Sequence, residues 1–373
     1  MNDREFAHVM LREIYEQPQA LEATVQGTLP EGTHFPAALT PLESALRSCE
    51  KLIIAASGSS RNAGLAGEIM IEEVAGIAVD VEYASEYCGR TSGASAGTVV
   101  MVISQSGESA DAVAALRESR KRGTATIGIT NVADSTIARE ADALLLTRAR
   151  PEMAIPATKS FTTQLSVLYL FALALAALKE RLATSAAVEH LGRLRLLSRQ
   201  LQESLDTWNR TAREAAERFK QAKSFLFIGR GVHYAIAREG ALKLKEISYS
   251  YAEGLPAGEL LHGPNALVGG DNVVAALAAR DAEDAGSMAR HAMTMGVLKY
   301  VKTHGGRLLV VAAADDQEAQ SLGDAAVLVP PAPELLLPLV EVVPLQLFAY
   351  HVGVLSGCDV DHPRNLVKAV VRT

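Results

Sequence analysis

Apolar residues along the chain fall into two kinds of run. Residues 52–56, 99–104, 125–130 and 143–147 are short, nearly continuous apolar stretches closed by turn-forming residues. That is the pattern of strands buried on both faces of a parallel sheet. Between them the spacing turns helical, over 62–74 and 110–122 and then over a long apolar segment at 161–181. Strand and helix in alternation mean α/β architecture. A leading helix at 8–21, with Met10, Leu11, Ile14 and Tyr15 at helical spacing, precedes the series and joins it through a link containing proline and glycine.

After a polar, helical bridge at 189–221 the order begins again. It runs strand 224–228, helix 234–248, strand 273–278, helix 284–301, strands 308–313 and 326–329, and a closing helix 334–355. The first strands of the two series lie about 170 residues apart, so a duplicated domain is expected, each copy a flavodoxin-like parallel sheet flanked by helices. The 373 residues leave room for both. The expected division is an N-terminal helix and link at 1–45, a first domain at 46–200, a second at 201–355 and a tail at 356–373.

Composition narrows the classes. A net charge of −7 and the lack of a basic run speak against a nucleic-acid partner. The three cysteines, Cys49, Cys88 and Cys358, are too scattered for a disulfide framework or a zinc site. The longest uncharged, wholly apolar stretch, 167–178, has 12 residues, whereas a bilayer needs about 20. The polar start of the chain does not read as a secretory signal. A cytoplasmic protein without a membrane partner is expected by elimination.

In an open parallel sheet, ligands bind beyond the carboxyl ends of the strands. After the run at 52–56 comes Ser57-Gly58-Ser59-Ser60, and after that at 99–104 come Gln105-Ser106-Gly107-Glu108-Ser109, with Ser104 at the strand end. Hydroxyls, glycines and free N–H groups at helix N-termini suit a phosphate dianion. Serine and glycine also make turns and caps, and Ser109 stands where a cap would. The second series is an internal control. Its corresponding strand end reads Ala278-Ala279-Arg280-Asp281, so one phosphate site per chain is expected, in the first half. The Gly229-x-Gly231 pair does not make a dinucleotide loop, because Tyr234 replaces the third glycine.

The helix that follows carries Glu239, Lys243 and Glu246, which fall within a sector of about 60° on one face. They are either a solvent-facing ion pair or a buried group fit for proton transfer. His262 lies in a loop with glycine on both sides, two loops further on. Lys368 stands six residues from the C-terminus in a polar tail, and nothing local distinguishes it.

Four stretches taken together carry a resemblance: SQSGES at 104–109, EGALKLKEISY at 239–249, GELLHGP at 258–264 and PRNLVK at 363–368. HVMLREIYEQP at 8–18 and TKSFTTQL at 158–165 extend it over essentially the whole chain. The sequence resembles the double sugar isomerase family, as found in the isomerase half of glutamine–fructose-6-phosphate aminotransferase. The resemblance implies that the loop with Gly58, Ser59 and Ser60, together with Ser104, Gln105, Ser106 and Ser109, holds the phosphate of a sugar phosphate. It implies that Glu246 moves a proton between C1 and C2, with Lys243 and Glu239 around the C1 and C2 oxygens. His262 would open the sugar ring, supplied across the interface of a homodimer, and Lys368 would contact the carbonyl and can form a Schiff base with the open-chain ketose. No metal and no cofactor is implied.

The resemblance is not complete. The aminotransferase has a glutaminase domain beginning with a cysteine after the initiator Met, whereas Asn2 follows Met1 here, and Ser57 stands where that family commonly has cysteine. Stand-alone chains of this kind resemble glucosamine-6-phosphate deaminases, so the expected reaction is glucosamine 6-phosphate and water to fructose 6-phosphate and ammonia, without glutaminase activity. The alternatives are a galactosamine-6-phosphate deaminase, a fructoselysine-6-phosphate deglycase, an ammonia-dependent synthase and a non-catalytic sugar-phosphate sensor.

Overall fold

In the first half, the apolar runs form strands β1 (Lys51–Ala56), β2 (Ala78–Tyr83), β3 (Thr98–Ile103), β4 (Ala125–Thr130) and β5 (Ala143–Leu146), hydrogen-bonded in the order β2-β1-β3-β4-β5. In the second half, β6 (Ser224–Gly229), β7 (Tyr251–Pro256), β8 (Asn272–Ala278), β9 (Arg307–Ala313) and β10 (Ala325–Val329) take the order β10-β9-β8-β6-β7. Every pairing is parallel. Numbered from the first strand of each half, both sheets read 2-1-3-4-5, the flavodoxin-like order, and the expected duplication is present. The computed structural model describes residues 5–29, 35–89 and 97–371. Met1, Asn2, Arg372 and Thr373, on which part of the reading of the chain ends rests, lie outside them.

Burial explains which strands hold the sheets. All six residues of β3 and five of six in β1 and β6 are buried, each large aliphatic side chain contributing roughly 1.5–3 kcal/mol. The two strands that the apolar runs do not predict are β2 and β7, and they occupy the same edge of each sheet. In β2, Val79 is buried between exposed Ala78 and Asp80; in β7, Ala252 is buried between exposed Tyr251 and Glu253. An edge strand leaves part of its surface in water, so it carries the polar residues that hide it from an apolar-run reading.

The leading helix is also different from expectation. It is two helices, Val9–Tyr15 and Gln17–Thr28. The carboxylate of Asp361 accepts the N–H groups of Val9 and Met10 at 3.0 and 2.7 Å and so caps the first of them.

By internal contacts the chain forms two compact units. One comprises Met1–Glu16, Met153–Thr158 and Leu197–Leu366 and contains the second sheet; the other comprises Gln17–Glu152, Lys159–Leu196 and Val367–Thr373 and contains the first. Each has one long apolar helix at its centre. Lys159–Leu178 packs on Gly58–Ala75 in the first-sheet unit, and Leu337–Leu355 packs on Val232–Ser248 in the other. Two segments, Lys159–Leu178 and Glu334–Leu355, are long and apolar enough to cross a membrane, but 94% and 89% of their most apolar windows are buried inside the protein. That is how core helices behave.

Candidate active site

The first-sheet unit brings the two serine loops to neighbouring strand ends. β1 and β3 are paired, Ala56 opposite Ile103, and they flank the point where strand order reverses, the place where this topology binds ligands. Ser57 and Ser109 hold the N-cap positions of the helices Gly58–Ala75 and Ala110–Lys121, yet neither side chain makes a capping hydrogen bond. The Ser109 hydroxyl instead lies 3.0 Å from that of Ser104. Ser104 Oγ also accepts the N–H of Gly107, and Ser106 Oγ that of Glu108, each at 3.1 Å. Gly107 has φ +66°, and a Cβ there would meet the Ser135 hydroxyl, so only glycine fits the turn. Glu108 locks the loop from outside by accepting the N–H and hydroxyl of Thr136 at 2.7 and 2.8 Å, bonds that hold its carboxyl below the usual range. On the other loop, Gly58 has φ +55°, and buried Ser60 receives the Gln164 amide at 3.1 Å.

The C-terminal tail is part of this unit. Val370 accepts the N–H of Ala110 at 2.9 Å, which places the tail at the N-terminus of the helix after the second serine loop and uses one of the donors expected to be free there. Lys368 Nζ lies 2.7 Å from Glu152, whose side chain is fully buried and also accepts the N–H and hydroxyl of Ser160 at 3.0 and 2.7 Å. Burial raises the Glu152 carboxyl, but Lys368 and Ser160 outweigh it and hold the group below the usual range. Glu152 and Gln164 were not singled out from the sequence. Gln164 lies in the TKSFTTQL stretch, whereas nothing local to Glu152 marks it, since its charged partner Lys368 is 216 residues away.

In the second-sheet unit, the helix Val232–Ser248 carries Glu239, Lys243 and Glu246 on one face as the spacing predicts. Lys243 Nζ lies 3.5 Å from Glu239 Oε1 and 2.5 Å from Glu246 Oε2. The side chains of Glu239 and Lys243 are 0% and 1% exposed, so this is not a solvent-facing pair. Glu246 keeps 21% exposure and is the one member of the three that a ligand can touch. Such an arrangement presents a carboxylate backed by a buried ammonium, apt for taking up and returning a proton. The helix ends at Tyr249 in left-handed conformation; its hydroxyl accepts the N–H of Arg364, whose guanidinium covers the ring at 4.2 Å. His262 caps a short 3-10 turn, Glu259–Leu261, and is exposed.

Comparison with known proteins bears on these elements. The SIS domain family matches residues 45–174 and 218–356, which contain both sheets. The chain belongs to the SIS domain family. Among its relatives is the glutamine–fructose-6-phosphate aminotransferase [isomerizing] of Chlorobaculum tepidum, 40% identical over 373 residues, 98% of this chain and 58% of the relative. The chain thus spans under two thirds of such relatives. Among solved structures, the C-terminal domain of glucosamine-fructose-6-phosphate aminotransferase from Francisella tularensis superposes with a TM-score of 0.89 at 34% identity, covering 96% of this chain and 98% of that one. Glucosamine-6-phosphate deaminase from Thermotoga maritima superposes at 0.72 and 22% identity, over 97% and 99% of the chains, a likeness of fold alone.

Proposed function

We propose that this SIS protein interconverts an aldose and a ketose 6-phosphate at C1 and C2 and, in water, deaminates glucosamine 6-phosphate to fructose 6-phosphate and ammonia. The observation that carries the reading is the Glu246 carboxylate set 2.5 Å from a buried lysine on a helix face. The aminotransferase relatives favour a fructose 6-phosphate skeleton, and the serine loops beyond β1 and β3 offer neutral donors suited to its phosphate.

His262, reaching in from a second copy of the chain, assists opening of the pyranose to the free aldehyde. Glu246 takes the proton from C2 of the amino aldose and returns it to C1, while the C1 oxygen gains a proton and the C2 amine gives one up, leaving a C1 hydroxymethyl and an imine at C2. Water adds to that imine, ammonia leaves, and the C2 ketone of fructose 6-phosphate remains. Lys243, with Glu239 behind it, holds the Glu246 carboxylate in place, and Lys368 is the residue assigned to the carbonyl. The test follows 13C-labelled glucosamine 6-phosphate and fructose 6-phosphate by NMR, with water alone, ammonium or glutamine supplied in turn. Ammonia and fructose 6-phosphate in equal amounts are expected from the amino sugar. Glutamine-dependent synthesis overturns the deaminase reading, and inertness toward both sugars overturns the whole of it.

A further inference from the structure

The second sheet has a reversal point of its own, between β6 and β8, and the serine loops of the first have no counterpart there. A different cluster fills it. From β6 the chain passes through Arg230-Gly231 into the helix Val232–Ser248, with His233 in its first turn. From β8 it passes into the helix Ala285–Thr303, with Ser287 and Arg290 in its first two turns. Beyond β10, a 3-10 turn begins at Glu334. The Glu334 carboxylate accepts from all three: Arg290 Nε at 2.8 Å and His233 Nε2 at 3.3 Å reach one oxygen, and the Ser287 hydroxyl reaches the other. Behind them, His233 Nδ1 lies 2.7 Å from Glu341, and Asp281 accepts the N–H of Glu334 at 3.4 Å.

Imidazolium, guanidinium and hydroxyl converging on two oxygens is the donor set that binds a phosphate monoester or any small oxyanion. Burial disfavours the His233 cation, but Glu341 and Glu334 reverse this and push it up to about 10, while Glu334 is held down to about 2. The side chains of His233 and Glu334 are each 5% exposed, so the charges balance one another rather than water. His233 and Arg290 bring positive charge to Glu334, while burial pushes the Glu341 carboxyl up against the pull of His233. Without Glu334, the Arg290, His233 and Ser287 donors lose their shared acceptor at a strand-end position that this topology uses for ligands.

We propose that the reversal point of the second sheet is an anion cradle closed by the chain's own Glu334, whose carboxylate occupies the place of a phosphate and thereby limits each chain to the phosphate site of the first sheet. The inference does not rest on the reaction proposed above, and its readout needs no turnover.

The test is the binding of inorganic phosphate to the full chain, by equilibrium dialysis at constant ionic strength, comparing wild type with Glu334→Ala. The variant should bind one further equivalent of phosphate, at least about tenfold more tightly than any second equivalent on wild type. Glu334→Gln, whose amide still fills the space, should bind none beyond wild type. Adding Arg290→Ala to Glu334→Ala should remove the extra equivalent. Where Glu334→Ala does not fold in phosphate-free buffer, added phosphate should restore its folding and potassium chloride of equal ionic strength should not. A folded Glu334→Ala that binds no more phosphate than wild type, or an unfolded one that phosphate does not rescue, overturns the proposal.

Discussion

The crevice beyond β1 and β3 and the crevice beyond β6 and β8 occupy the same place in two sheets of one strand order, and they are furnished in opposite ways. The first offers hydroxyls and glycine turns, with Ser59 and Ser106 half-buried and no side-chain cap at either helix start. The second is lined by charges that neutralise each other within the protein, through Glu334 and its three donors. Topology places both crevices, and side chains decide what each does. The proposed base of the second unit lies elsewhere, on the face of Val232–Ser248 where Lys243 and Glu246 meet.

The strongest way to break that comparison is Glu246→Gln. If the second unit supplies the base, kcat should fall by about 10²–10⁴-fold with KM little changed, measured by steady-state ammonia release from glucosamine 6-phosphate. A variant that keeps more than roughly a tenth of wild-type kcat takes the base assignment away. Substituting both Ser104→Ala and Ser106→Ala should do the reverse in the first unit. Each lost hydrogen bond to a charged oxygen is worth about 1.5–3 kcal/mol, so KM should rise tenfold or more, by roughly that conversion, while kcat holds. A KM within about twofold of wild type moves the phosphate elsewhere.

The charged crevice makes a pH prediction of opposite kind. The His233 cation is stabilised when folded, to about 10 against an ordinary 6.5, so its contribution is complete below pH 6.5 and is lost as pH rises through about 10. His233→Gln, which takes the imidazolium from Glu341 and one of three donors from Glu334, should cost about 3–5 kcal/mol at neutral pH. In denaturant titrations from pH 6 to 10, that gap should narrow as pH rises; a gap that stays constant says the ion pair is not its source. Ser57→Ala is the mildest change. An N-cap serine usually contributes about 1 kcal/mol, but the Ser57 side chain makes no capping bond, so urea unfolding should shift by under about 0.5 kcal/mol. A larger loss would give the first crevice an ordinary cap where a ligand loop is proposed.

Local pattern was enough for much of this molecule. Interior strands and amphipathic helices announce themselves because their burial depends on neighbours two to four residues away, and the face bearing Glu239, Lys243 and Glu246 follows from helix geometry alone. The serine loops are legible as turns after strands, and the duplication as a repeated order. What stayed hidden depended on partners distant in sequence. β2 and β7 show as strands only once an interior strand pairs with them. The single helix expected at 8–21 divides at Glu16, where the chain also passes from one compact unit to the other.

Burial was decided in the same way. Whether Lys243 faces water or carboxylates is set by what covers the helix, not by its own spacing. Lys368 meets Glu152 from 216 residues away, and Glu334 meets His233 and Ser287 across three strand ends. Sequence determined the elements and the chemistry they carry, because propensity, periodicity and turn residues act over a few bonds. Tertiary structure alone decided which charges lose their water and which side chain completes an anion's shell, because desolvation and ion pairing act through space between groups that chain order keeps far apart.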